Sequence, residues 1–330
     1  MTNPSHPSHT STPDPVRQMT ARSPEDLLAL APVLLGFWPG EDAVMLTFAT
    51  ERPFHARLSL PDRASPRALR DLEQKFLDPA RRHGVGAAVF LVFGHNEQVA
   101  RAVCRTLRRG ALHSGIDVVA CIWADGERYR LLGGSPSSDQ EPVDYDISHH
   151  PFVLEAMVEG RLSYASREEM VAALEADPQA CAEVDAALLR LGLGDTRGPE
   201  SHVEVRRAVR WTERILRTYV ADEAPLDAEQ VARLVWTVQA VPARDAAWGL
   251  IDRRSAARHR AFWARVLPRT PEHLVPAVAD LLGFAAWQSG DGAQAWAAVD
   301  RAQRASPEDS MAGLLAGLLE GAVPPDAWSA

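Results

Sequence analysis

Gly94-His95-Asn96-Glu97 sets an imidazole, an amide and a carboxylate on consecutive residues. The apolar run Ala87-Ala88-Val89-Phe90-Leu91-Val92-Phe93 precedes it and an amphipathic stretch follows, a pattern that predicts a buried strand, a loop and a helix. Open α/β sheets bind ligands at such strand ends, and free N–H groups at a helix start can hold an anion. Asp125 closes the next predicted strand and joins this candidate ligand site. Asn96 is also an ordinary N-cap, and one glycine is no phosphate-binding fingerprint.

Arg207, Arg210, Arg214 and Arg217 recur at three- and four-residue steps and form one stripe of a predicted helix, with Val205, Val209, Thr212, Leu216 and Tyr219 opposite. The stripe is a candidate nucleic-acid contact. Glu204 and Glu213 interrupt it, as on a solvated helix face. Asp144, Asp146, His149 and His150 carry metal-ligating groups. Acids two apart and adjacent histidines do not converge from any regular element, so no metal site is read there. Gly290-Asp291-Gly292 offers a carboxylate on permissive backbone. Phe284 and Trp287 before it, and Trp296, Val299 and Ala302 after it, keep helical spacing, so the segment reads as the turn of a helical hairpin with Asp291 as cap. No GxSxG, GxxxxGK[ST] or GxGxxG segment occurs, and no cofactor is expected.

The elements that must position these groups change character along the chain. Ser23-Pro24-Glu25-Asp26 predicts a capped helix through Leu35. Strands follow at 43–49 and 54–60 around the turn Ala49-Thr50-Glu51-Arg52-Pro53, then a helix over 64–82, the strand 87–93, a helix over 97–112 and a strand over 116–124. The last three form a βαβ unit. Asp125-Gly126 predicts a type I′ hairpin returning through 127–132. Residues 133–149 read as a polar linker, and 150–330 as seven or eight short helices. Ser166-Arg167-Glu168-Glu169 and Asp227-Ala228-Glu229-Gln230 read as capping boxes, Gly192 and Gly194 as a helix end, and Ser306-Pro307-Glu308-Asp309 as a repeat of the first capping tetrapeptide. The fold class is a small N-terminal α/β domain with a mixed sheet (22–132), joined to an all-helical domain with helical hairpins, after a disordered tail over 1–21.

With 330 residues and 46% hydrophobic residues, the chain can fill two cores. A net charge of −9 argues against general affinity for phosphate backbones or acidic membranes, while leaving room for a local basic face. Lys75 is the only lysine, a bias that the spread of arginines over the whole chain attributes to base composition. Cys104, Cys121 and Cys181 are widely spaced with no CxxC, which fits a reducing cytoplasm. The first 20 residues lack the apolar core of a secretory signal, no apolar run is long enough for a membrane helix, and His6 and His9 lack supporting ligands. Seven of the nine tryptophans fall in the helical half, among them Trp211, Trp236, Trp248, Trp263, Trp287 and Trp296 at helical spacing, as core anchors or contact residues.

Three stretches together resemble an actinobacterial family, domain of unknown function 4192. They are LLALAPVLLGFWPGEDAVMLTF near the start, HPFVLEAMVEGRLSYASREEMVAAL in the middle, and PARDAAWGLI with FWARVLPRTPEH and LLGFAAWQSGDGAQAWAAVDRAQRASPEDSMAGLLAGLLEGAVPPDAW toward the end. The resemblance spans roughly 22 to 328 and implies the two-part architecture and a cytoplasmic setting, but no reaction. Many members carry cysteines just after the hairpin, where this chain has GGSPSSDQEP, so any thiol chemistry of that segment is absent. The leading expectation is a protein-interaction or scaffold protein with tetratricopeptide-like helical hairpins and another protein as partner. The alternatives are an enzyme at Gly94, His95, Asn96, Glu97 and Asp125, or a nucleic-acid binder using Arg207, Arg210, Arg214 and Arg217.

Overall fold

The unbroken apolar run 87–93 belongs where both faces of a strand are covered, and it forms the centre of the sheet. The computed structural model describes residues 19–50, 54–133, 139–193, 198–222 and 224–327. Six strands, β1 (Asp42–Phe48), β2 (His55–Ser59), β3 (Ala87–Phe93), β4 (Asp117–Ala124), β5 (Arg128–Leu131) and β6 (Val143–Asp144), lie in the order β2-β1-β3-β4-β5-β6. Strands β3 and β4 are parallel and joined through helix α3 (Glu97–His113), which gives the expected βαβ unit. The other neighbouring pairs are antiparallel.

One face of the sheet, with Ala43, Met45, Phe90, Val92, Cys121 and Trp123, packs on Leu72, Phe76 and Leu77 of α2 (Pro66–Arg82) and on Val103 and Leu107 of α3. The alternate residues Val44, Leu46, Val89, Leu91, Phe93 and Ile122 enter a second core. That core takes in α1 (Pro24–Leu35) and runs without a break into the helical half.

The helical half contributes ten α-helices among the described residues, α4 (Pro151–Val158), α5 (Arg167–Ala172), α6 (Pro178–Arg190), α7 (His202–Asp222), α8 (Ala228–Thr237), α9 (Val241–Trp248), α10 (Ala256–Val266), α11 (Val275–Ser289), α12 (Gly292–Ala305) and α13 (Ser310–Glu320). This exceeds the seven or eight expected because α5 and α9, of six and eight residues, are too short to show a period. Helix α11 is apolar on all sides, and nearly every residue in it is buried. It packs most closely on α12 and α10. Gly290 ends it in the left-handed conformation and Asp291 caps α12, so the expected helical hairpin forms.

Several local expectations shift by a residue or a bond. The two-residue turn of the β4–β5 hairpin is Gly126-Glu127, not Asp125-Gly126: Asp125 N–H donates to the Arg128 carbonyl, and Ala124 faces Tyr129. Only Gly126 takes positive φ there, so this is a glycine-first turn and not type I′. The box at 227–230 closes both ways. At 166–169, Ser166 caps Glu169 N–H but the Glu169 carboxylate reaches back to Ala165 instead. Ser306 makes a turn with Asp309, and Asp309 is the cap of α13, so the tetrapeptide at 306–309 does not repeat the role of 23–26. Val143–Asp144, expected in the linker, extends the sheet edge as β6. Residues 51–53 of the first expected turn, 134–138 of the linker, Gly194, His6, His9 and most of the tail lie outside the described residues.

Candidate functional site

Antiparallel pairing of β1 with β3 brings Glu41 to the end of β3, and this decides what the 94–97 loop can bind. Glu41 Oε1 accepts the His95 N–H at 3.0 Å, the Gly94 N–H donates to the Ala124 carbonyl at 3.0 Å, and Trp123 Nε1–H donates to the Gly94 carbonyl at 2.8 Å. The Asn96 side chain accepts the Val99 N–H at 3.2 Å. Gly94 has φ 151°, and a Cβ there would lie 2.4 Å from Glu41 Oε2, so the residue must be glycine for the carboxylate to approach. The start of α3 thus already holds an anion, supplied by the protein, and a second would meet its repulsion.

The remaining polar groups at this strand end face one another. Glu97 pairs with Arg101 at 2.8 Å and Arg130 at 3.3 Å, and Arg101 also contacts Asp139. Asp125 Oδ1 accepts the Glu127 and Arg128 N–H groups at 3.0 and 2.7 Å. Burial works to raise its carboxyl, but those N–H bonds outweigh burial and hold it below the usual range. The structure brings Gly94, His95, Asn96, Glu97 and Asp125 to one end of the sheet, with His95 exposed.

Asp144, Asp146, His149 and His150 separate. His150 Nε2 lies 3.0 Å from Asp26 Oδ1, joining α4 to α1, while Nδ1 accepts the Phe152 N–H. Asp146 accepts the Ser148 N–H. No group of three or more metal-ligating side chains gathers among the described residues.

Asp291 does more than cap α12. Its Oδ1 accepts the Gln294 N–H at 2.9 Å, and its Oδ2 takes Arg260 Nη1 at 2.6 Å. Burial raises its carboxyl and Arg260 opposes that. Gly36, left-handed at φ 77°, ends α1 so close that a Cβ would meet the Arg161 carbonyl at 3.2 Å and Asp291 Oδ2 at 3.8 Å. Phe37 bridges to Tyr164. Next to it, Asp42 pairs with Arg57, whose guanidinium lies 6.0 Å from the Phe37 ring centre. Residues 36–37, bonded to 163–164, thus lie against Asp291, far away in the chain.

Two features lie outside the motifs singled out from the sequence. Asp280, inside α11, is fully buried, neither oxygen has a hydrogen-bond partner, and Arg244 stands 3.9 Å away. The other is a groove of about 180 Å³ between α6 and α8, lined by Leu188, Leu189, Leu193, Trp236 and Leu274 with Asp185 and His273 at its rim. Leu189 is 70% exposed. The signal for the groove was the run Leu188-Leu189-Arg190-Leu191-Gly192-Leu193, more apolar than one helix face requires.

On α7 the four stripe arginines are all exposed, joined by Arg206. The buried side is wider than the expected stripe: Ala208, Trp211, Thr212, Ile215, Leu216 and Val220 are inside, and Val205, Val209 and Tyr219 are half-buried.

A family model described as domain of unknown function (DUF4192) matches residues 24–326, nearly the whole chain. No curated protein and no solved structure matches the chain. The chain belongs to the DUF4192 family.

Proposed function

We propose that this member of the family is a non-catalytic protein-interaction protein whose α6–α8 groove receives apolar side chains of a partner helix or peptide. The observation that carries this reading is the groove itself, open to solvent and lined by leucines and Trp236. Its 180 Å³ is small beside the roughly 300–1,000 Å³ of small-molecule sites, and suits one or two aliphatic side chains. A side chain as exposed as Leu189 gains from being covered, and aromatic residues such as Trp236 anchor interfaces. Asp185 and His273 at the rim supply polar contacts that fix register. The α11–α12–α13 packing, read as tetratricopeptide-like, belongs to the same class of peptide-presenting helical arrays. A cytoplasmic setting is supported by three cysteines that are all free thiols. No helix among the described residues is long and apolar enough to cross a membrane.

Selection from a random peptide display library on the full chain tests this. Enriched peptides should carry apolar residues at i and i+3 or i+4, and Leu189→Arg should abolish their binding without lowering Tm, because Leu189 is already exposed. Glu97→Ala should leave binding unchanged. Failure to enrich any sequence pattern, or binding that survives both Leu189→Arg and Trp236→Ala, refutes the groove.

A further inference from the structure

We propose that the outer face of α7 binds the phosphate backbone of a nucleic acid, independently of base sequence, through Arg207, Arg210, Arg214 and Arg217. With 3.6 residues per turn, these four and Arg206 fall within about 100° of helix arc. All five are exposed. None makes an ion pair or hydrogen bond among the described residues, whereas Arg101, Arg161, Arg260 and Arg301 elsewhere all sit against carboxylates. Glu204 and Glu213 of α7 make no direct ion pair with these arginines, and Glu204 attracts Arg207 only at longer range. Glu204 is held by the Ser201 N–H and hydroxyl, and Glu213 lies at the edge of the sector, half-buried. Arg233 of α8 extends the patch, its guanidinium 4.8 Å from the Trp211 ring centre. Burial and the nearby charge of Arg214 both lower the Arg233 pKa, so the arginines repel one another where they stand.

Geometry and composition favour a phosphate backbone over an acidic protein. From Arg207 to Arg217 the helix rises about 15 Å, the axial rise of about four nucleotides of a duplex strand at roughly 3.4 Å each. A protein interface requires an apolar centre depleted in charge. Among the described residues, the only large apolar side chain exposed in this sector is Val203, at the amino-terminal end of the helix. Arginine forks match phosphate oxygens bidentately. The face is local, since the chain as a whole carries −9.

The test is fluorescence anisotropy of a fluorescein-labelled 20-base-pair DNA duplex of arbitrary sequence against the full chain, at 50 to 200 mM NaCl. Four phosphate contacts predict a log–log salt slope near −3.6, so affinity should fall about 150-fold over that range, against about 12-fold for Arg210→Gln/Arg214→Gln with slope near −1.8. Arg67→Gln/Arg70→Gln on α2 should leave both values unchanged, and far-ultraviolet circular dichroism should show every variant folded. No binding by the wild type at 50 mM overturns the proposal, as does a slope unaltered by the α7 pair or an equal loss from the α2 pair. Poly-L-glutamate displacing the duplex with equal potency per charge would assign the face to acidic proteins and also overturn it.

Discussion

Asp280→Asn should stabilise this protein, and by more as pH rises. The side chain is fully buried, both oxygens lack hydrogen-bond partners, and Arg244 is too far, at 3.9 Å, for a close pair. Burial is the main reason its pKa is raised to about 8, and the negative Asp309 cap of α13 adds to it against the pull of Arg244. A carboxyl with an ordinary pKa of 3.8 in the unfolded chain and about 8 in the folded one binds its proton more tightly when folded. Its stabilising effect is thus complete below pH 3.8 and lost progressively as pH rises to about 8. Each unit in that window costs about 1.4 kcal/mol, or about 4 kcal/mol by pH 7 as an upper bound before water penetration relaxes the site. Asparagine keeps the shape and removes the ionisation. Urea unfolding of both proteins at pH 5, 6, 7 and 8 should show the variant's advantage growing with pH. An advantage that stays flat would mean that Asp280 is already paired or solvated, and would refute the reasoning.

His259 titrates with the opposite sign. Burial lowers its pKa to about 4, so its share of stability is complete above pH 6.5 and lost as pH falls toward 4, a loss of about 3 kcal/mol at the lower end. Unfolding of wild type against His259→Asn from pH 7 to 4 should show the difference between them shrinking as the wild type weakens, and a constant difference counts against a buried neutral imidazole. Asp291→Ala removes a helix cap and leaves Arg260 without its carboxylate, an expected loss of about 2–3 kcal/mol. Asp291→Asn, which keeps the cap, should fall between it and wild type by thermal unfolding, and equal losses for the two would assign the whole effect to the ion pair.

Much of the candidate site was legible as location and little of it as occupancy. The strand, loop and helix around 87–113 follow from an apolar run, one glycine and an asparagine cap, all local signals. That Glu41 would fill the anion-binding position could not be read, because it arrives by antiparallel pairing of a strand more than forty residues earlier. The same limit applies to α7. Its arginine spacing was plain, yet only packing shows that the arginines find no ion pair among the described residues and that Trp211 and Ile215 face inward while Val205 and Val209 are only half-buried.

The order of the elements, the change from a mixed sheet to helices, and most helix ends follow from local signals, since they rest on periodicity and on caps within four residues. Tertiary structure decided what the charged residues do. Asp291 looked like a loop carboxylate and holds both Arg260 and the start of α12, close beside Gly36, while Asp280, one acid in an apolar helix, became a buried group with only a loose ion pair to Arg244. Burial and charge proximity are set by contacts between distant segments, and only those contacts fix the dielectric and the partners that give a side chain its chemistry.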